Sequence, residues 1–117
     1  MVLAGGVDDA QLGALYAGAA CLLHPALAEG FGLTPLEALA AGTPVVAYDI
    51  GAVREVVGDA GILVDPRDDT ALGEALVALL ASDTLASEVA ARVAARVALF
   101  SWDRAAAETL AVYRRVA

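Results

Sequence analysis

Two rhythms of apolar residues alternate along this chain. Short continuous runs read as buried strands, and longer stretches with apolar positions three and four apart read as amphipathic helices. Val2-Leu3-Ala4, closed by Gly5-Gly6, predicts a first short strand. Asp8 or Asp9 then caps a helix carrying Leu12, Leu15, Tyr16 and Ala19 at helical spacing. Cys21-Leu22-Leu23-His24 predicts a buried strand stopped by Pro25, and a loop follows from Ala26 to Leu33. A helix from about Thr34 to Ala41 ends at Gly42, which suits a left-handed cap. Pro44-Val45-Val46-Ala47-Tyr48 is a strand of the continuous apolar kind found in parallel sheets. A short helix over Gly51 to Val57 is closed by Gly58, and Gly61-Ile62-Leu63-Val64 is a strand ended by Asp65-Pro66. Three helices complete the chain. Asp68 or Asp69 caps one bearing Leu72, Leu76, Leu79 and Leu80; Asp83 begins one bearing Val89, Val93 and Val97; Ser101 caps one bearing Trp102, Ala106, Leu110 and Tyr113.

Strands alternating with helices predict an α/β fold: a partial Rossmann-like parallel sheet of about four strands with flanking helices. No repeat or linker divides the chain, so residues 1–117 form one domain. Composition adds a core that is broad but shallow. Hydrophobic residues make up 60%, 29 of the residues are Ala, and aromatics are only 5%.

Charge narrows the partners. All seven basic residues are Arg, and with 15 acids the net charge is -8. Such a surface repels phosphate backbones and anionic bilayers, which argues against nucleic acid and membrane partners. A small anion remains accessible through backbone amides at a helix start. Cys21 is alone in an apolar run, so it reads as a small buried hydrophobe in a reducing compartment. No basic segment follows Met1, so no signal peptide is expected. The charge-free stretch from Ala10 to Ala28 is interrupted by Gly13, Gly18, Gln11, His24 and Pro25, so no membrane span is expected either. The expected location is cytoplasmic.

Between Ala10 and Tyr48 the only ionic residues are Glu29 and Glu37. They bracket Gly30-Phe31-Gly32-Leu33-Thr34-Pro35-Leu36. Two glycines let the backbone turn sharply and approach a ligand closely. Thr34-Pro35-Leu36-Glu37 matches a capping box with proline at the first helical position. A glycine-bearing loop therefore runs into a helix start at the carboxyl end of a strand, where open α/β sheets bind ligands. Plainer readings stand beside this one. Glu37 can serve only to cap Thr34, and Glu29 can be a solvated loop acid. His24 reads as a buried structural histidine, and Arg54-Glu55 as an ion pair or solvated face. The acids from Asp65 to Asp69 read as turn and cap chemistry, with no metal site expected.

Glu29 and Glu37, with seven residues between them, resemble the E-x7-E motif of retaining GT-B glycosyltransferases of family 4. The likeness continues through Leu36-Glu37-Ala38-Leu39-Ala40-Ala41-Gly42-Thr43-Pro44-Val45-Val46-Ala47, then Gly51-Ala52-Val53-Arg54-Glu55-Val56-Val57, Gly61-Ile62-Leu63-Val64-Asp65-Pro66 and Phe100-Ser101-Trp102. The resemblance implies the C-terminal, donor-binding domain of such an enzyme, with a nucleotide-diphosphate sugar as donor and no metal or other cofactor. Glu29 would be the catalytic residue, facing the donor sugar and hydrogen-bonding its hydroxyls. The amides of Phe31 and Gly32 would approach the sugar, and those of Leu33 and Thr34 the diphosphate. Glu37 would accept from both ribose hydroxyls, which a carboxylate's two oxygens suit.

In that family the donor domain has about six strands in the order 3-2-1-4-5-6. Val2-Leu3-Ala4 would be the third, and the runs at 21–24, 44–48 and 61–64 the fourth to sixth. The first two strands, the Arg and Lys that neutralise the diphosphate, and the N-terminal acceptor domain are expected to lie outside this chain. The chain alone is then expected to lack transferase activity. The strand at 21–24 would be an open apolar edge, which predicts a homo-oligomer through it. Two other readings remain: a non-catalytic oligomerisation or interaction module that keeps the fold, and another nucleotide-sugar enzyme of GT-B type, such as a phosphorylase or epimerase.

Overall fold

A computed structural model describes residues 1–116. Three strands form one parallel sheet in the order β1 (Leu22–His24), β2 (Val45–Tyr48), β3 (Gly61–Val64). Leu22 lies opposite Val45, and Val45 opposite Gly61, so the register brings all three carboxyl ends to one edge. Helices α1 (Asp9–Gly18), α2 (Leu33–Ala40), α3 (Gly51–Val57), α4 (Asp69–Ala81), α5 (Asp83–Val97) and α6 (Trp102–Val116) fill the connections and the C-terminal part.

β2 is central, and all four of its residues are buried. Its alternation divides the core in two. Val45 and Ala47 pack with Ala38 and Leu39 of α2, Val53, Val56 and Val57 of α3, and Val93 of α5. Val46 and Tyr48 face the other way, onto Leu72 and Leu79 of α4 and Val89 of α5. Both faces of a parallel sheet are thereby covered, as its continuous apolar runs require.

Local signals settle most boundaries. Asp8 closes a capping box with Gln11, its Oδ1 accepting from the Gln11 amide at 2.8 Å. Asp68 accepts from the Ala71 amide at 2.8 Å, Ser82 from Leu85 at 3.2 Å, and Ser101 from Arg104 at 3.3 Å. At the end of α2, Gly42 has φ +84°; its amide donates to Leu39 and that of Thr43 to Ala38, both at 2.9 Å. This double bond satisfies the last carbonyls of the helix in the left-handed turn only glycine makes cheaply.

The expected strand at Val2-Leu3-Ala4 does not form, and the sheet has three strands in place of about four. Val2 and Leu3 are 90% and 86% exposed. A strand is held by a neighbour, and among the described residues none lies beside this run. α6 forms as its cap and spacing predict, yet it buries no residue: Trp102 is 81% and Tyr113 63% exposed. No helix among the described residues is long and apolar enough to cross a membrane.

Candidate functional site

The loop between β1 and α2 holds the candidate residues, and three contacts shape it. Gly32, not Thr34, is the N-cap of α2, at φ +94° and ψ 40°. The Leu36 amide donates to the Gly32 carbonyl at 3.2 Å, so the helix begins two residues earlier than the sequence implies. The capping box expected of Thr34 and Glu37 is absent, since no side chain caps this helix. Thr34 lies inside the helix as its second residue, so its side chain no longer stands where a cap would. A left-handed backbone at Gly32 turns the chain into the helix instead.

The second contact fixes Phe31. Its ring, 48% exposed, meets the edge of Phe100 with centroids 6.2 Å apart and planes at 88°. Phe100 follows α5 and lies beneath the Arg96 guanidinium, 5.7 Å from its centroid. Arg96 in turn donates from Nε to the Val56 carbonyl at 2.9 Å and from Nη2 to that of Glu55. The last turn of α3 is thus capped by a cation from α5, where a positive charge is favoured. The third contact is at Gly32, where an added Cβ would lie 3.5 Å from Val56 Cγ2. The loop is therefore supported from beneath by α3 and the end of α5.

This turn leaves the amides of Phe31, Gly32, Leu33 and Thr34 without a protein acceptor among the described residues. They are the orphan donors of a helix start. Glu29 is partly buried, its side chain 26% exposed, and Glu37 is exposed. Glu29 Oε1 lies 3.1 Å from His24 Nε2. The distance is that of a hydrogen bond, but the alignment is not, and Nε2 is buried without a satisfied partner. Glu37 Oε2 accepts from the Tyr16 hydroxyl of α1 over a long 3.4 Å. Burial, then the Glu37 charge and its bond, hold the Tyr16 hydroxyl above its ordinary range, while the Thr34 hydroxyl acts the other way.

All six residues singled out from the sequence fall on this one loop and first helical turns, with Glu29 at its start and Glu37 on α2. His24 and Tyr16 had no site role in the sequence. His24 looked like a core residue, and Tyr16 like one member of an apolar stripe. Arg54 pairs with Asp49 through Nε at 2.6 Å and Nη2 at 2.8 Å, not with Glu55, and these bonds hold the Asp49 carboxyl below its usual range. Two open hollows, along Asp83-Thr84-Ser87 of α5 and Asp69-Thr70-Gly73 of α4, share no residue with the loop. Each is an open hollow lined by one helix face alone, so neither encloses a ligand. Among the described residues, no three His, Cys, Asp or Glu side chains gather as metal ligands would.

Glycine turn, helix start and parallel strand ends define an α/β domain whose candidate residues stand at the sheet's carboxyl edge, where open α/β sheets bind ligands. Comparison with known proteins identifies the kind. Residues 1–96 match the family model described as glycosyl transferases group 1. The chain belongs to that family. It is 38% identical to the O-antigen chain mannosyltransferase B of Escherichia coli, over 94% of this chain and 29% of that protein. It is 42% identical to a phosphatidyl-myo-inositol mannosyltransferase of Mycobacterium leprae (strain TN), over 97% of this chain and 31% of that protein. Its fold matches a sucrose-phosphate synthase from Thermosynechococcus elongatus with a TM-score of 0.83 and 35% identity, over 96% of this chain and 29% of that one. The fold is that of the GT-B glycosyltransferases. The chain spans under a third of the length of these relatives.

Proposed function

We propose that this chain is the donor-binding part of a retaining glycosyltransferase that uses a nucleotide-diphosphate sugar, and that it does not transfer sugar by itself. One observation carries the reading: two carboxylates flank a glycine turn whose amides at 31–34 are unclaimed by protein, at the carboxyl edge of a parallel sheet. Glu37 accepts from the two ribose hydroxyls. The amides of Leu33 and Thr34, at the positive end of α2, receive the diphosphate. Glu29 and the amides of Phe31 and Gly32 hold the sugar, with Glu29 next to the reacting carbon. No metal or other cofactor is needed for this binding.

Inactivity of the chain alone follows from its cations. It has no Lys, and among the described residues no arginine side chain bonds to the loop 29–37: Arg54 is committed to Asp49, Arg92 to the Asp59 carbonyl, and Arg96 to the carbonyls of Glu55 and Val56. Negative charge on the departing diphosphate would meet amides only, and losing a charged clamp typically costs several kcal/mol of transition-state stabilisation. A separate acceptor domain completes the reaction in this reading.

Titration calorimetry with UDP and with GDP tests it, comparing the parent chain with Glu37→Ala. Weak binding of at least one nucleotide, lost on substitution, is expected. If neither nucleotide binds, or if Glu37→Ala binds as the parent does, the assignment fails. A second reading, a non-catalytic interaction module, draws support from the exposed face of α6 and from the open edge of β1, where Leu23 is 41% exposed. It expects no nucleotide binding. Association of two copies through β1 is compatible with either reading. It predicts a homo-oligomer in sedimentation equilibrium; a strictly monomeric chain with a freely exchanging Leu23 amide refutes it.

A further inference from the structure

We propose that His24 is a positioning residue for Glu29, donating from Nε2 to hold that carboxylate in place for the donor sugar. The inference rests on the donor-binding reading above and adds a residue to it. His24 ends β1 and Glu29 begins the glycine turn, so their contact closes the loop Pro25–Ala28 between them. Nε2 and Oε1 are 3.1 Å apart, with the side chains 13% and 26% exposed. Nε2 is itself buried, and among the described residues no acceptor is aligned with it, Glu29 Oε1 at 3.1 Å being near but out of line. A buried ring nitrogen that carries a proton strongly favours an acceptor, and the Glu29 carboxylate is the one within reach. Because Glu29 is partly buried while Glu37 is exposed, Glu29 has fewer waters to hold it in one rotamer and more to gain from a fixed donor.

A purely space-filling histidine would behave differently. Leucine of similar bulk at 24 would fill the strand end but leave Glu29 free to swing away from the turn. Glutamine at 24 keeps an N–H donor. The prediction separates sugar from nucleotide, because Glu29, with the amides of Phe31 and Gly32, faces the sugar while Glu37 and the amides at 33–34 hold the rest.

The contact is read first without ligand. His24 is the single histidine of the chain, so its ring gives one set of nitrogen signals in long-range proton–nitrogen spectra. A proton on Nε2, and a displacement of that signal in Glu29→Gln, are expected. A ring with bare Nε2, or one indifferent to Glu29→Gln, overturns the pair and leaves the nucleotide-binding reading untouched. Calorimetry then compares UDP with UDP-glucose and GDP with GDP-mannose. His24→Leu should weaken the sugar nucleotide about tenfold while changing the nucleotide alone by less than about twofold, and His24→Gln should recover most of the loss. Equal loss for nucleotide and sugar nucleotide, or no loss for either, overturns the positioning role. Failure of the parent chain to bind any of the four, with the nitrogen signals as expected, reduces the contact to a loop clasp and also overturns it.

Discussion

Gly61 is held to glycine by its neighbours on both sides. A Cβ there would lie 2.5 Å from Val57 Cγ1, 2.6 Å from the Val45 carbonyl oxygen and 3.4 Å from Val45 Cβ. Favourable contact begins near about 3.5 Å, so Gly61→Ala overlaps by roughly 1 Å in two directions. Val57 is fully buried, and the Val45 carbonyl belongs to the sheet backbone, so neither can yield cheaply. Overpacking of this kind costs about 1–3 kcal/mol, and the backbone contact puts Gly61→Ala near the upper end. Gly73 is the matched control. It lies inside α4 with nothing within 4 Å of an added Cβ, and Gly73→Ala should gain about 0.5–1 kcal/mol. The two alanines should therefore differ by about 3 kcal/mol, or about 1 M or more in urea midpoint. Far-UV circular dichroism is the probe, since the one tryptophan, Trp102, is 81% exposed and reports little of the core. Should Gly61→Ala unfold within about 0.5 kcal/mol of the parent, β3 does not sit against Val45 and Val57 as described.

The Tyr48 hydroxyl donates to Asp69, and that bond, then burial, holds it above its ordinary value of 10.0. Folding stability should therefore be fully present below about pH 10 and fall as pH rises through the raised folded value; Tyr48→Phe should lose about 1 kcal/mol at neutral pH and show a shallower alkaline decline in urea unfolding. Arg96→Ala removes the cation from the carbonyls of Glu55 and Val56 and from the Phe100 ring, and should cost about 2 kcal/mol in the same assay. It should also broaden the Phe31 ring signals by NMR, and sharp unshifted Phe31 resonances would contradict the support described for the loop. Burial pushes the Cys21 thiol up, so it should react with a disulfide reagent far more slowly in the folded chain than in urea; equal rates would place it at the surface.

How far the sequence reaches is clearest in the site. Glu29 and Glu37 stand out as candidates because they are alone in a charge-free stretch and flank two glycines, and the fold sets both on one loop and the helix that follows it. The fold class was legible because short apolar runs at 22–24, 45–48 and 61–64 alternate with helical spacing, and because the starts of α1, α4, α5 and α6 each carry a side-chain cap. Asp8, Asp68, Ser82 and Ser101 act over three residues, a range at which sequence neighbours are spatial neighbours whatever the fold.

Other features depended on residues far apart in the chain. Val2-Leu3-Ala4 has a strand's composition but no partner, and pairing is a property of the sheet. Thr34 has a cap's composition, yet Gly32 took the helix start once its left-handed turn fitted against Val56. The contacts of Tyr16 with Glu37, Phe31 with Phe100 and Arg96 with Val56 join elements 21 to 69 positions apart, and no local spacing encodes them. Short-range chemistry thus chose the elements and the acidic pair. Packing across the sheet chose which side chains reach them, because burial leaves each polar group only the partners the fold happens to bring near.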